Sequence, residues 1–123
     1  MTKKWPYVVT DHQIILDTPI KGHAGRVLPY VRLLPNGRII ISKGYAWDGA
    51  TWAPDFKWVM FPSLVHDAFY QLMREGEVAH RVKKEADELF YQLMIQRGAP
   101  KWLATMYYWA VKKLGGRGWI NRQ

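Results

Sequence analysis

The chain has 123 residues, 49% of them hydrophobic and 15% aromatic. That length suits one domain of ordinary size, and that apolar content offsets the entropy of ordering and excludes wholesale disorder. There is no Cys, which excludes disulfides, thiolate catalysis and Cys-ligated zinc or iron-sulfur centres, so a metal must sit on His, Asp, Glu or carbonyl oxygen. Eighteen Lys and Arg stand against ten acids, a formal +8, a surface that attracts nucleic acid, anionic cell-wall polymer or lipid headgroups through its long-range field.

The N-terminus, Met1 to Pro6, lacks an apolar leader core, and no stretch reaches the roughly 18 apolar residues of a spanning helix. The expectation is an unprocessed soluble protein, located in a host cytoplasm or in a virion. Short β-rich runs then alternate with turn residues: Trp5 to Val9, Gln13 to Leu16, Val27 to Leu34 and Arg38 to Ser42. Between the last two stands Pro35-Asn36-Gly37, a hairpin signal, because Pro presets φ and Asn and Gly accept left-handed backbone. Gly22 to Gly25, carrying His23, reads as an exposed loop.

Near residue 60 the period becomes helical. Three helices are predicted: Ser63 to Arg74 with Ser63 as cap, Arg81 to Arg97 stopped by Gly98, and Pro100 to Leu114 ended by Gly115-Gly116. The third presents Leu103, Met106, Tyr107, Ala110, Val111 and Leu114 at helical spacing, as docking on a core requires, although a membrane-surface role shares that pattern. The expected architecture is α+β: a small N-terminal antiparallel sheet and then a three-helix segment packed on it. The whole of 1–123 forms one domain in this reading, β-rich to about residue 60, helical over 61–116, with a tail at 117–123.

Charge is shared evenly between the halves but not along the second. After Glu88 no acid occurs, while Arg97, Lys101, Lys112, Lys113, Arg117 and Arg122 follow. No zinc-finger spacing, aromatic RNP segment or base-reading helix accompanies them, so the expectation is weak, sequence-independent polyanion binding.

Between sheet and helices the chain reads Gly44-Tyr45-Ala46-Trp47-Asp48-Gly49-Ala50-Thr51-Trp52-Ala53-Pro54 and then Phe61-Pro62-Ser63-Leu64-Val65-His66-Asp67-Ala68-Phe69-Tyr70. Arg81-Val82-Lys83-Lys84-Glu85-Ala86-Asp87-Glu88-Leu89-Phe90 opens the next helix. From about Gly44 to Gly115 this order of motifs resembles a family of small proteins of unknown function common in bacteriophage and prophage genomes. Its members share an Asp-Gly-Ala-Ser/Thr loop, a following Pro, a His-Asp-x-x-Tyr helix and an Arg-x-x-Ala-Asp helix start. They end with a helix like Met106 to Val111. The basic position of the Ala-Asp motif is shifted here, with Arg81, Lys83 and Lys84 as candidates. The resemblance implies a phage or prophage setting and no particular activity.

The residues themselves suggest chemistry. Asp48 on a glycine-bounded loop, His66 and Asp67 on one helix and Asp87 on the next converge if the first two helices pack together. One His with carboxylates is a hard-to-borderline ligand set, so Asp48, His66 and Asp87 are candidate ligands for Zn, Mn, Fe or Mg. Such a metal makes a hydroxide nucleophile near neutral pH. Tyr70 lies one turn from His66, and Tyr91 one turn from Asp87, where a phenol could polarise a carbonyl or phosphoryl oxygen. The candidate catalytic set is therefore Asp48, His66, Asp67, Tyr70 and Asp87.

Structural readings stand beside each. Asp48 before Gly49 fits a turn that binds backbone amides. His66 and Asp67 fall near a helix start if Ser63 is the cap, and Asp87 has Lys83 and Lys84 as solvated ion-pair partners. His12, His23 and His80 read as surface residues. Trp47, Trp52 and Trp58 either line a stacking groove or pack over the sheet. Two functions remain open: a small phage-associated hydrolase, metal-dependent or acid-base, acting on cell wall or another anionic polymer; and a non-enzymatic virion-assembly or binding accessory whose polar cluster is structural and whose partners are virion proteins.

Overall fold

The structure, a computed structural model, describes residues 7–8, 13–47 and 57–114. Six strands precede three helices: β1 (Tyr7–Val8), β2 (Gln13–Asp17), β3 (Gly25–Val27), β4 (Val31–Leu33), β5 (Arg38–Ser42), β6 (Ala46–Trp47), α1 (Lys57–Arg74), α2 (Val82–Gln96) and α3 (Lys101–Leu114). The order of elements is the expected α+β one.

Strands β2, β5, β4 and β3 form an antiparallel sheet in that order, and β1 pairs with β6 in a separate two-stranded ladder. The Pro35-Asn36-Gly37 turn joins β4 to β5 as its chemistry requires. Gly37 has φ of +94°, and a Cβ there would run into the Thr18 carbonyl oxygen. Thr18 closes on that turn, donating from its backbone N–H and its hydroxyl to the Gly37 carbonyl at 2.9 and 2.7 Å. The single run expected from Val27 to Leu34 is two strands. Pro29 cannot donate to a ladder, and the chain turns at 28–30, where the Tyr30 N–H reaches the Val27 carbonyl at 2.9 Å.

One face of the sheet is apolar by alternation: Val31, Leu33, Ile39 and Ile41 are buried while Arg32 and Arg38 face out. Onto it pack Leu64, Val65, Ala68, Phe69, Leu72 and Met73 of α1, with Val82, Ala86, Leu89 and Leu93 of α2. A second apolar cluster joins the helices: Val59 of α1, Phe90 and Met94 of α2, and Ala104, Tyr107 and Val111 of α3. The third helix thus docks on the other two rather than on the sheet.

Two expectations about the helices are corrected. Helix α1 starts at Lys57, six residues before the predicted cap, and takes Pro62 inside it. A proline there forfeits a helical hydrogen bond, but Val59 is fully buried in the second cluster and Trp58 stacks on Tyr107 with centroids 5.7 Å apart. Packing extends the helix through the proline. Ser63 is therefore no cap; its hydroxyl donates back to the Met60 carbonyl at 2.8 Å. On α3 the buried seam is Ala104, Tyr107 and Val111, and Met106, expected in the core, is 56% exposed. The Trp58–Tyr107 stack fixes that rotation.

Candidate functional site

His66 and Tyr70 lie one turn apart on α1, and Lys83 and Asp87 one turn apart on α2, so each helix presents a pair to the other. Asp87 is the meeting point. Its Oδ1 lies 2.7 Å from His66 Nε2 and accepts a second bond of 2.7 Å from the Tyr70 hydroxyl. Its Oδ2 accepts from Lys83 Nζ at 2.8 Å. Lys83 also donates to the backbone carbonyls of Val111 and Lys112, at 3.3 and 3.1 Å. The ammonium thereby binds the C-terminal turn of α3, where carbonyls lack helical partners, and one carboxylate ties three helices together.

The network is dry. Asp87 is 1% exposed and His66 7%, and the imidazole lies between the rings of Tyr70 and Phe90, centroids 4.2 and 4.8 Å away. Burial pushes the His66 pKa below its ordinary value; the Asp87 bond and charge pull it up and Lys83 pushes it down, and burial wins. The ring is neutral near pH 7. For Asp87, burial works to raise the pKa, yet hydrogen bonds from His66, Lys83 and Tyr70 outweigh it and hold the carboxyl below its usual range. Burial, with the Asp87 charge and bond and the Asp67 charge, raises the Tyr70 phenol well above its ordinary value, so it stays a donor. With Asp87 ionised and His66 neutral, Nε2 carries the proton and donates it to Oδ1. The other ring nitrogen, Nδ1, keeps its lone pair and has no hydrogen-bond partner among the described residues.

His66, Tyr70 and Asp87 thus meet where α1 packs on α2. Asp67 is half-buried beside them on α1 and acts on Tyr70 through its charge. His66 and Asp67 stand in mid-helix, not in the first turn that a Ser63 cap would give. Asp48 lies outside the described residues, as do Trp52 and His12; Trp47 ends β6. Among the described residues no three His, Cys, Asp or Glu gather as a group able to hold a metal ion. Tyr91, expected as the phenol of Asp87, instead meets Tyr108 edge-on at 5.9 Å; the phenol comes from the facing helix.

Lys83 is the functional residue that the sequence undervalues. Its spacing from Asp87 announces an ion pair, but the solvated reading fails, because His66 and Tyr70 of α1 bond the carboxylate and leave Asp87 1% exposed. Of Arg81, Lys83 and Lys84, Lys83 is the one whose bond to Asp87 the structure shows. His23 is half-buried and His80 exposed.

A concavity of about 390 Å³ reaches Asp87, lined by His80, Arg81, Lys83, Lys84, Tyr108 and Lys112. Four of those side chains are cationic. The larger groove, about 790 Å³ between the β2 edge, α2 and α3, touches neither His66 nor Asp87. No described helix is long and apolar enough to cross a membrane.

Fold and site together define an α+β protein whose helical layer encloses a His-Asp-Tyr-Lys network beside a basic hollow. The model of a family described as "Protein of unknown function (DUF1353)" matches residues 28–111, more than half of the chain, and the protein belongs to that family. The match spans β4, β5 and all the residues of the network. No curated protein and no solved structure matches the chain.

Proposed function

We propose that the protein is a hydrolase in which His66 is the general base that activates water, held by Asp87, with Tyr70 and Lys83 fixing the carboxylate. The observation that carries this is the 2.7 Å bond from His66 Nε2 to a buried Asp87 that accepts two further donors. A base oriented by a carboxylate on one ring nitrogen presents the other to the reacting proton, and burial keeps the ring unprotonated at neutral pH. Ser63, on the same helix, donates its hydroxyl to the Met60 carbonyl. With water as the attacking group, a carboxylic ester, whose alcohol leaves readily, is a bond that one acid-base group can open.

The basic hollow beside Asp87 suits an anionic substrate, and the resemblance to phage and prophage proteins supports action on a host envelope, either cell wall or another anionic polymer. A divalent metal on Asp48, His66 and Asp87 is the alternative form of this hydrolase, since sharing a metal with Asp87 would require His66 Nε2 to give up its proton and its bond to that carboxylate. A second reading is favoured by Lys83, which links Asp87 to the end of α3: the network is a structural lock, and the protein is a virion-assembly or binding accessory.

The test is hydrolysis of p-nitrophenyl esters and purified cell wall by the full chain, with and without EDTA, against His66→Asn and Asp87→Asn. The hydrolase reading expects activity that falls by about 10²–10⁴-fold in His66→Asn in a variant that circular dichroism shows to be folded. Loss on chelation assigns the metal. Absence of activity in the parent, with both variants melting several degrees lower, establishes the lock instead.

A further inference from the structure

Helix α3 carries an outer face that the fold does not use. Trp102, Met106 and Trp109 are 66%, 56% and 48% exposed, and their spacing sets them in one stripe opposite the buried Ala104, Tyr107 and Val111. Lysines flank the stripe. Lys101 adjoins Trp102, while Lys112 and Lys113 place their ammonium groups 4.9 and 5.6 Å from the Trp109 ring centroid. No acid occurs beyond Glu88. A water-exposed tryptophan-methionine stripe edged by cations matches an anionic bilayer surface, where indole rings sit at headgroup depth and each lysine meets lipid phosphate. A second copy of the chain fits the stripe poorly, because it would bring Lys112 and Lys113 against cations of the same kind. Nucleic acid would use the lysines and leave Met106 without a role.

The stripe adjoins the basic hollow that reaches Asp87. Lys112 lies over Trp109 and also lines the basic hollow that reaches Asp87, and Lys83 binds the carbonyls at that end of α3 while holding Asp87. We propose that the outer face of α3 seats the protein on an anionic lipid surface and that the ester hydrolysed at His66 belongs to a lipid of that surface. The second half rests on the hydrolase reading given above. Chemically it needs only water. The water oxygen adds to the acyl carbon as its proton passes to His66 Nδ1. The carbon–oxygen bond to the alcohol then breaks, and the alcohol oxygen takes the proton from the imidazolium. A fatty acid and a lipid alcohol result, and the base is restored.

The experiment uses the full chain with sonicated vesicles of phosphatidylglycerol and phosphatidylcholine, or of phosphatidylcholine alone, read by co-sedimentation and by release of fatty acid. Binding to the anionic vesicles is expected, weakening steeply with salt, and falling at least tenfold in a Trp102→Ser/Trp109→Ser double variant. Both positions are exposed, so the double variant keeps the parent melting temperature. Fatty acid is expected from the parent and not from His66→Asn, which still binds. Failure to bind anionic vesicles overturns the docking surface, and so does binding to single-stranded DNA alone. Cleavage of a soluble p-nitrophenyl ester without vesicle binding overturns the lipid assignment and leaves the hydrolase standing. Vesicle binding with no ester cleaved in either assay overturns the hydrolase and the lipid ester with it, and upholds the surface.

Discussion

The sheet and the helical layer each hold one carboxylate against one base, at nearly the same distance and in opposite surroundings. On the sheet, Arg38 donates to both oxygens of Asp17 across the β2–β5 pair, at 2.7 and 3.1 Å, with both side chains largely in water. Between the helices, Lys83 meets Asp87 at 2.8 Å with the carboxylate 2% exposed. The geometry of the first pair is the better one, since two parallel bonds join it. Its surroundings make it the weaker, because water and salt screen exposed pairs to small net values. The second pair has given up its water, so every donor on Asp87 becomes obligatory.

Removing the carboxylates separates the two most sharply. Asp87→Ala leaves the buried His66 and Tyr70 and the part-buried Lys83 without their shared acceptor and should cost about 3 kcal/mol, the lower end of the range for breaking a buried pair; urea unfolding would read it. Asp17→Ala, by contrast, should leave the midpoint where it was. A comparable loss in both variants would show that burial does not set the difference.

Lys83→Met comes next. It leaves Asp87 with His66 and Tyr70 but removes a charged donor, for about 1.5–3 kcal/mol, and it frees the Val111 and Lys112 carbonyls. Amide exchange should therefore accelerate in the last turn of α3 while the sheet keeps its protection. Tyr70→Phe removes an uncharged donor from the same carboxylate and falls at the low end of that range, about 1.5 kcal/mol, checked by thermal melting at neutral pH.

Acid sharpens the same contrast. The folded His66 pKa lies below its ordinary 6.5, so the unfolded chain binds that proton first. Its contribution is whole above about pH 6.5 and is lost as pH falls through the folded value. Asp87, also depressed, adds a second loss at lower pH, beginning near the ordinary carboxylate value of 3.8 and completed below the folded one. Melting temperature should fall in that order, and His66→Gln should flatten the first step. For the proposed hydrolase, the acidic limb of the rate profile has its midpoint below 6.5, since the base must be neutral.

Much of this molecule can be read along the chain. Pro35-Asn36-Gly37, the alternation in β5, the stop at Gly98 and the helix start at Pro100 each act through one residue's own backbone or through its nearest neighbours. The pairs His66–Tyr70 and Lys83–Asp87 are equally local, because helical periodicity alone puts them on common faces. What the tertiary structure decided is which faces meet. Packing of Val59 and Trp58 carried α1 back through Pro62 and took Ser63 from cap to mid-helix. The same contacts rotated α3 so that Met106 joined Trp102 and Trp109 on the outside. Only the α1–α2 interface buried the carboxylate of an apparently solvated Lys–Asp pair, by setting Tyr70 and His66 against it. Local signals carry chain direction and face, but desolvation belongs to no single residue: it exists once several segments exclude water together, and that exclusion is what gives Asp87 its weight.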